Sequence, residues 1–206
     1  VSTFSPPKPP AFVDCTTSQK AARIVTDVLA PANLVIALLL LVGWHGTGSP
    51  TGLGWGLLAA LFCGVIPLGI VLAGVRRGGL TDKHIRIRRQ RVLPMALSLI
   101  PVVAGITLLH LLGAPTDVSA LVIAMLVGLA TSLLVTVWWQ ISIHNSVAGG
   151  TVMILLLAFG LLMLPTVAAA AAIGWSRLTL KAHTLPQVLA GTALGSAAAL
   201  TFALLR

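Results

Sequence analysis

Six stretches of this chain, residues 28–44, 53–75, 92–112, 118–139, 146–180 and 185–205, are apolar and almost free of Asp, Glu, Lys and Arg. Most have the roughly 20 residues a helix needs to cross the hydrocarbon core of a bilayer. A soluble domain of 206 residues would have to cover its surface with charge, yet only 8% of the residues are charged and mean hydropathy is +1.04. The runs are continuous rather than alternating, which argues against a membrane barrel. In lipid every backbone polar group must then be paired within its own segment, and helices are what remains. The 146–180 stretch is too long for one span, at about 35 residues. Leu164-Pro165-Thr166 is its natural break, because proline interrupts a helix. The expected fold class is an all-α integral membrane protein, a bundle of seven transmembrane helices, or six if Thr166 to Trp175 only dips into the membrane. Gly191 and Gly195 form a GxxxG pair that permits close helix packing.

Seven spans sort the loops onto two sides. One side collects Lys8, Lys20, Arg23, Arg76, Arg77, Lys83, Arg86, Arg88, Arg89, Arg91, Arg177 and Lys181, and the other has only Arg206. The positive-inside rule assigns the basic side to the cytoplasm of a multi-pass cell-membrane protein. Residues 1–26 are expected to be a flexible Pro-rich tail and surface segment, with Lys20 and Arg23 marking a membrane-surface helix. Residues 27–206 form the transmembrane domain. The first 26 residues hold no apolar run suited to a signal peptide. Trp44, Trp55, Trp138, Trp139 and Trp175 fall at span ends, as an aromatic belt requires. Cys15 lies in the tail and Cys63 in mid-span, so no disulfide is expected between them.

The acids are Asp14, Asp27, Asp82 and Asp117, with no Glu. Isolated carboxylates cannot build the oxygen-rich Mg²⁺ sites of Asp-motif prenyltransferases. A Cys/His zinc site and a Walker loop are equally unsupported. No metal or cofactor is expected. The strong positive balance fits topogenic charge and an anionic lipid headgroup; nucleic acid is not expected as a partner.

Of five histidines, His84, His144 and His183 fall on the basic side, in three separate loops. His183 follows Ser176-Arg177 after five residues, His144 closes Ile141-Ser142-Ile143-His144, and His84 precedes Arg91 by seven positions. These segments resemble the three motifs of the type 2 phosphatidic acid phosphatase superfamily, K-x6-R-P, P-S-G-H and S-R-x5-H-x3-D. The third matches in register except that Gln187 replaces the Asp. The second keeps Ser142 and His144 with Ile141 and Ile143 in place of Pro and Gly. In the first, His84 takes the Lys position, Lys83 stands one residue off, and Val92 replaces the Pro.

The resemblance implies a membrane lipid phosphatase. His183 would be the nucleophile that attacks phosphorus, and His144 the general acid on the leaving oxygen. Arg177, Arg91 and Ser142, with His84 and Lys83, would hold phosphoryl oxygens. Gln187, one helical turn after His183, would orient the imidazole through its amide oxygen but without charge. These residue types suit phosphoryl transfer, which needs dense positive charge on the equatorial oxygens and groups placed for attack and departure. The implied activity is metal-free hydrolysis of a lipid phosphate or diphosphate. Isoprenoid substrates rank first because they are made at the cytoplasmic face, and glycerolipid phosphates second. Two alternatives stay open: a prenyl diphosphate lyase or cyclase using the same anion site, and a non-catalytic lipid-binding membrane protein.

Overall fold

The computed structural model of the chain describes residues 6–7 and 11–206, so Lys8 and most of the Pro-rich tail lie outside the described residues. Within them the regular elements are all helical. They are α1 (Thr17–Val28), α2 (Pro31–Thr47), α3 (Pro50–Ala60), α4 (Ile66–Arg76), α5 (Arg88–Leu111), α6 (Thr116–Trp138), α7 (Ile143–Phe159), α8 (Thr166–Thr179) and α9 (Leu185–Leu205). Prolines open α2, α3 and α9 in their first turns, where the missing N–H would have had no partner. A π turn over Leu61–Val65 fuses α3 to α4. Its cause is local: Pro67 cannot donate to the carbonyl of residue 63 and clashes with it, so the helix widens there.

Five helical segments are long and apolar enough to cross a membrane: Pro50–Arg76, Arg88–Leu111, Thr116–Trp138, Ile143–Met163 and Leu185–Leu205. A sixth arises if α1 and α2, bent by 45° at their junction, act as one span. Length and composition thus support five spans, or six, against the expected six or seven, with α8 the short return to the end where α7 and α9 begin. The shortfall lies in α8, whose 14 residues reach only about 21 Å against the ~30 Å hydrocarbon core. The outer surface is as apolar as the interior. Leu93, Ile100, Leu111, Leu134, Leu161, Leu162 and Leu204 are each more than 60% exposed, a distribution consistent with a bilayer surround.

A capping box sets the start of α1, with Thr16 and Gln19 each accepting the other's backbone N–H. The boundary expected after residue 26 thus falls inside a helix, and residues 17–20 are helical rather than tail. Lys20 and Arg23 flank the Phe12 ring, while α1 docks on α8 through a buried Thr26–Ser176 hydroxyl contact of 3.0 Å.

The core gathers Leu39 and Val42 of α2, Val102 and Leu109 of α5, Leu121 of α6, Ile154 of α7 and Phe202 of α9. Helix α9 packs on both α6 and α7. The GxxxG pair explains the α7 contact. A methyl on Gly191 would stand 2.5 Å from the Ser142 carbonyl oxygen, and one on Gly195 would overlap the carbonyl of Ser146. Close approach of two helices at small residues follows. This packing brings the starts of α7 and α9 together at one end of the bundle, beside the α4–α5 connection and the α1–α2 junction.

Candidate anion site at the convergence of four connections

The site is assembled by hydrogen bonds between segments far apart in sequence. Arg91, in the first turn of α5, is 4% exposed. Its Nε donates to the Ile85 carbonyl (2.6 Å), Nη1 to the Ile141 carbonyl (2.8 Å) and Nη2 to His183 Nε2 (3.3 Å). Ile85 presents that carbonyl from a left-handed conformation, φ 42°, which a β-branched residue adopts only under constraint. Gln140 Nε2 donates to the Arg86 carbonyl (3.0 Å), tying the α6–α7 connection to the same loop.

The tautomer of His183 follows from its two partners. Nδ1 lies 3.1 Å from Gln187 Oε1, which also accepts the Thr184 backbone N–H at 3.1 Å. An amide oxygen only accepts, so Nδ1 carries the proton; a guanidinium only donates, so Nε2 carries the lone pair. His183 is 3% exposed. Burial first, and then the charges of Arg91 and Arg177, push its pKa down to about 2, with the Gln187 hydrogen bond opposing. The imidazole is therefore neutral, with its free electron pair aimed at a cation.

Arg177, at the end of α8, is completely buried. Nη1 reaches Thr26 Oγ1 at 3.5 Å, while Nε and Nη2 have no hydrogen-bond partner. A buried guanidinium with two unpaired nitrogens is costly, on the order of several kcal/mol. Its planar fork matches the oxygens of a phosphate. The starts of α7 and α9 add the positive ends of two helix dipoles at the same place.

The remaining expected residues divide. His144, 6% exposed, has an unpartnered Nε2, and its ring centroid is 5.3 Å from that of His84. His84 Nε2 lies 3.1 Å from Asp27 Oδ1, which also takes Lys83 Nζ at 2.7 Å. Burial and then Arg177 lower the His84 pKa, against the pull of Asp27. Ser142 is fully buried and caps α7, accepting the Asn145 N–H and donating to Asn145 Oδ1 at 3.0 Å. Its hydroxyl is thus engaged within the protein.

Sequence reasoning missed Asp27, Thr26, Arg86, Gln140 and Asn145. Asp27 sits far from every motif in sequence, and only the bend between α1 and α2 brings it to His84. Gln187 had a second, readable role, since Thr184-x-x-Gln187 has capping-box spacing.

A cavity of about 580 Å³ opens beside these residues. Lys83, His84, Arg91 and His144 line its polar end together with Asp27, whose carboxylate pairs with Lys83 and His84, and the rest of the wall is mostly apolar. His183 and Arg177 do not line it; the Arg91 guanidinium, which does, covers His183 Nε2. Among the described residues no three His, Cys, Asp or Glu side chains are grouped to hold a metal ion. No protein-family model, curated protein or solved structure matches the chain.

Proposed function

We propose that this chain is a membrane-embedded, metal-independent phosphohydrolase. Its substrate is a lipid phosphate or diphosphate, isoprenoid in first rank, and it acts through a phosphohistidine on His183. The observation that carries this reading is the pairing of a neutral His183, lone pair on Nε2, with two buried arginines, one of which has two unpaired guanidinium nitrogens. The resemblance of the three motif segments to the type 2 phosphatidic acid phosphatases supports the same roles.

The substrate's phosphoryl oxygens take Arg177 Nε and Nη2 and draw Arg91 Nη2 off His183. Nε2 then attacks phosphorus as the bond to the leaving oxygen breaks. Bound negative charge offsets the two arginines, and a proton carried by His144 passes to that oxygen. Water, giving its proton back to His144, releases phosphate from His183. Gln187 holds the Nδ1 proton throughout. The one-sided basic charge supports a cytoplasmic location for this end of the bundle through the positive-inside rule.

His183→Ala is expected to abolish phosphate release from farnesyl phosphate and diphosphate in detergent. Phosphohistidine should be trappable on the wild type in short incubations, and EDTA should leave turnover intact. A His183→Ala variant with substantial turnover would overturn the mechanism.

One feature favours a second reading, loss of diphosphate by C–O cleavage to give an eliminated or cyclised prenyl product. Gln187 gives a phosphohistidine no carboxylate support, and C–O cleavage needs none. Hydrocarbon plus diphosphate as products, with Arg177→Ala more damaging than His183→Ala, would establish it.

A further inference from the structure

The cavity runs from the cationic cluster into the middle of the bundle. On α5 it is lined from Arg91 to Val102, on α7 from His144 to Ile154, and on α6 from Ser132 back to Leu121. Ten or eleven residues on each helix correspond to about 16 Å of depth at the α-helical rise. That is roughly half the hydrocarbon core, one leaflet's depth. The deep end is closed by Val102, Leu121, Ile154 and Ala199, all of them members of the main core cluster and at most 3% exposed. Leu68 and Leu72 of α4 line the wall and are each 37% exposed, so the cavity reaches the outer apolar surface on that side.

We infer that this cavity is the seat of a short isoprenyl chain whose phosphate or diphosphate lies at its polar end against Arg91 and His144 and, once Arg91 leaves His183 Nε2, meets Arg177 and His183 behind it, and that Val102, Leu121 and Ile154 set the longest chain accepted. The inference rests on the phosphohydrolase reading for its headgroup chemistry alone. Asp27 already takes Lys83 and His84, so Arg91 and the unpaired nitrogens of Arg177 behind it select the anion at one end, and the apolar wall selects hydrocarbon at the other. The closed floor limits chain length, so it favours a short chain over the longer acyl chains of a phosphatidate. Three isoprene units, at roughly 5 Å a unit from single-bond geometry, fill the depth. The side opening at Leu68 and Leu72 lets the chain enter from the leaflet without passing the cationic mouth.

The test is binding of prenyl bisphosphonates, in which carbon replaces both bridging oxygens so that neither P–O nor C–O cleavage can occur, read as thermal stabilisation of the detergent-solubilised full chain, alongside turnover of the matching diphosphates. Inorganic diphosphate should stabilise weakly. The geranyl and then the farnesyl bisphosphonate should bind progressively more tightly, by about fourfold for each methylene buried. The geranylgeranyl bisphosphonate should gain nothing further in the wild type but should gain in Ile154→Ala, where the floor is lowered. Ala124→Leu, which fills the cavity part-way down, should lose the gain from farnesyl while keeping that from inorganic diphosphate, a result that also shows the variant is folded.

Inorganic diphosphate binding as tightly as the farnesyl compound would overturn the chain site while leaving the anion site standing. Equal or tighter binding of a lysophosphatidate or of dioleoyl phosphatidate would overturn the isoprenyl occupant. Chain-length-dependent binding without release of phosphate would uphold the chain site and remove the phosphohydrolase reading.

Discussion

At the scale of single residues, the site turns on how His183 is held. Gln187 Oε1 serves two donors, the Thr184 N–H that starts α9 and the His183 Nδ1–H, each at 3.1 Å. The geometry therefore suits Glu better than the shorter Asp of the family motif. Gln187→Glu keeps the reach and adds the charge that stabilises an imidazolium, so phosphoenzyme formation should speed up and its acid limb should shift to higher pH. Gln187→Leu removes both cap and tautomer control and should slow turnover by about 100-fold or more. Rapid-quench kinetics of the two variants check this, and an unchanged rate in Gln187→Leu would remove Gln187 from the mechanism. His183 also makes stability depend on pH. Its folded pKa is depressed, whereas in the unfolded chain it takes up a proton near pH 6.5. The unfolded state thus binds more protons below that value, and stability should fall as pH drops from about 6.5 toward 4 and stay flat above 7. Melting of the detergent-solubilised protein should show that fall, and His183→Asn should reduce it, leaving the share of His84, whose pKa burial also lowers.

At the scale of elements, the site depends on α7 and α9 meeting without side chains between them. Gly195 faces the Ser146 carbonyl, Gly191 the Ser142 carbonyl, and Gly149 of α7 returns the contact against Thr192. Gly54 of α3 has open space where a Cβ would go. Gly195→Val should lower the melting temperature, because backbone carbonyls cannot yield as flexible side chains do, a cost of about 1–3 kcal/mol. Gly54→Ala should raise stability by about 0.5–1 kcal/mol through helix propensity. Equal melting temperatures for the two variants would refute the packing argument. The GxxxG spacing was legible in the sequence; that it seats the cap residue Ser142 beside His183 was not. The capping boxes at Thr16 and Thr184 were equally legible from spacing, and the first marks α1 as a helix docked on α8 rather than tail.

At the scale of the whole molecule, the connections at 77–87, 139–142 and 180–184 and the α1–α2 junction meet at one end, and nine of the thirteen Lys and Arg, those from Arg76 to Arg91 with Arg177 and Lys181, lie in or beside them. The positive-inside rule reads that asymmetry as a cytoplasmic face, which thiol labelling can test. A cysteine at Gly78, in a Cys15→Ser and Cys63→Ser background, should resist an impermeant thiol reagent in intact cells and react once they are opened. Labelling from outside would invert the topology. The sequence by itself determined the helical class, because uncharged runs of this length leave the backbone no other way to pair its polar groups in lipid. It also singled out His84, His144 and His183 by their place on the basic side, and Arg91 and Arg177 by the resemblance of their segments to the phosphatase motifs. Only the tertiary structure decided that Arg91 covers the His183 lone pair, that Ser142 is occupied as a cap, that Asp27 holds His84 and Lys83, and that a largely apolar cavity lies below them. Those relations join residues as much as 92 positions apart, and no local pattern encodes which side chain fills the space between packed helices.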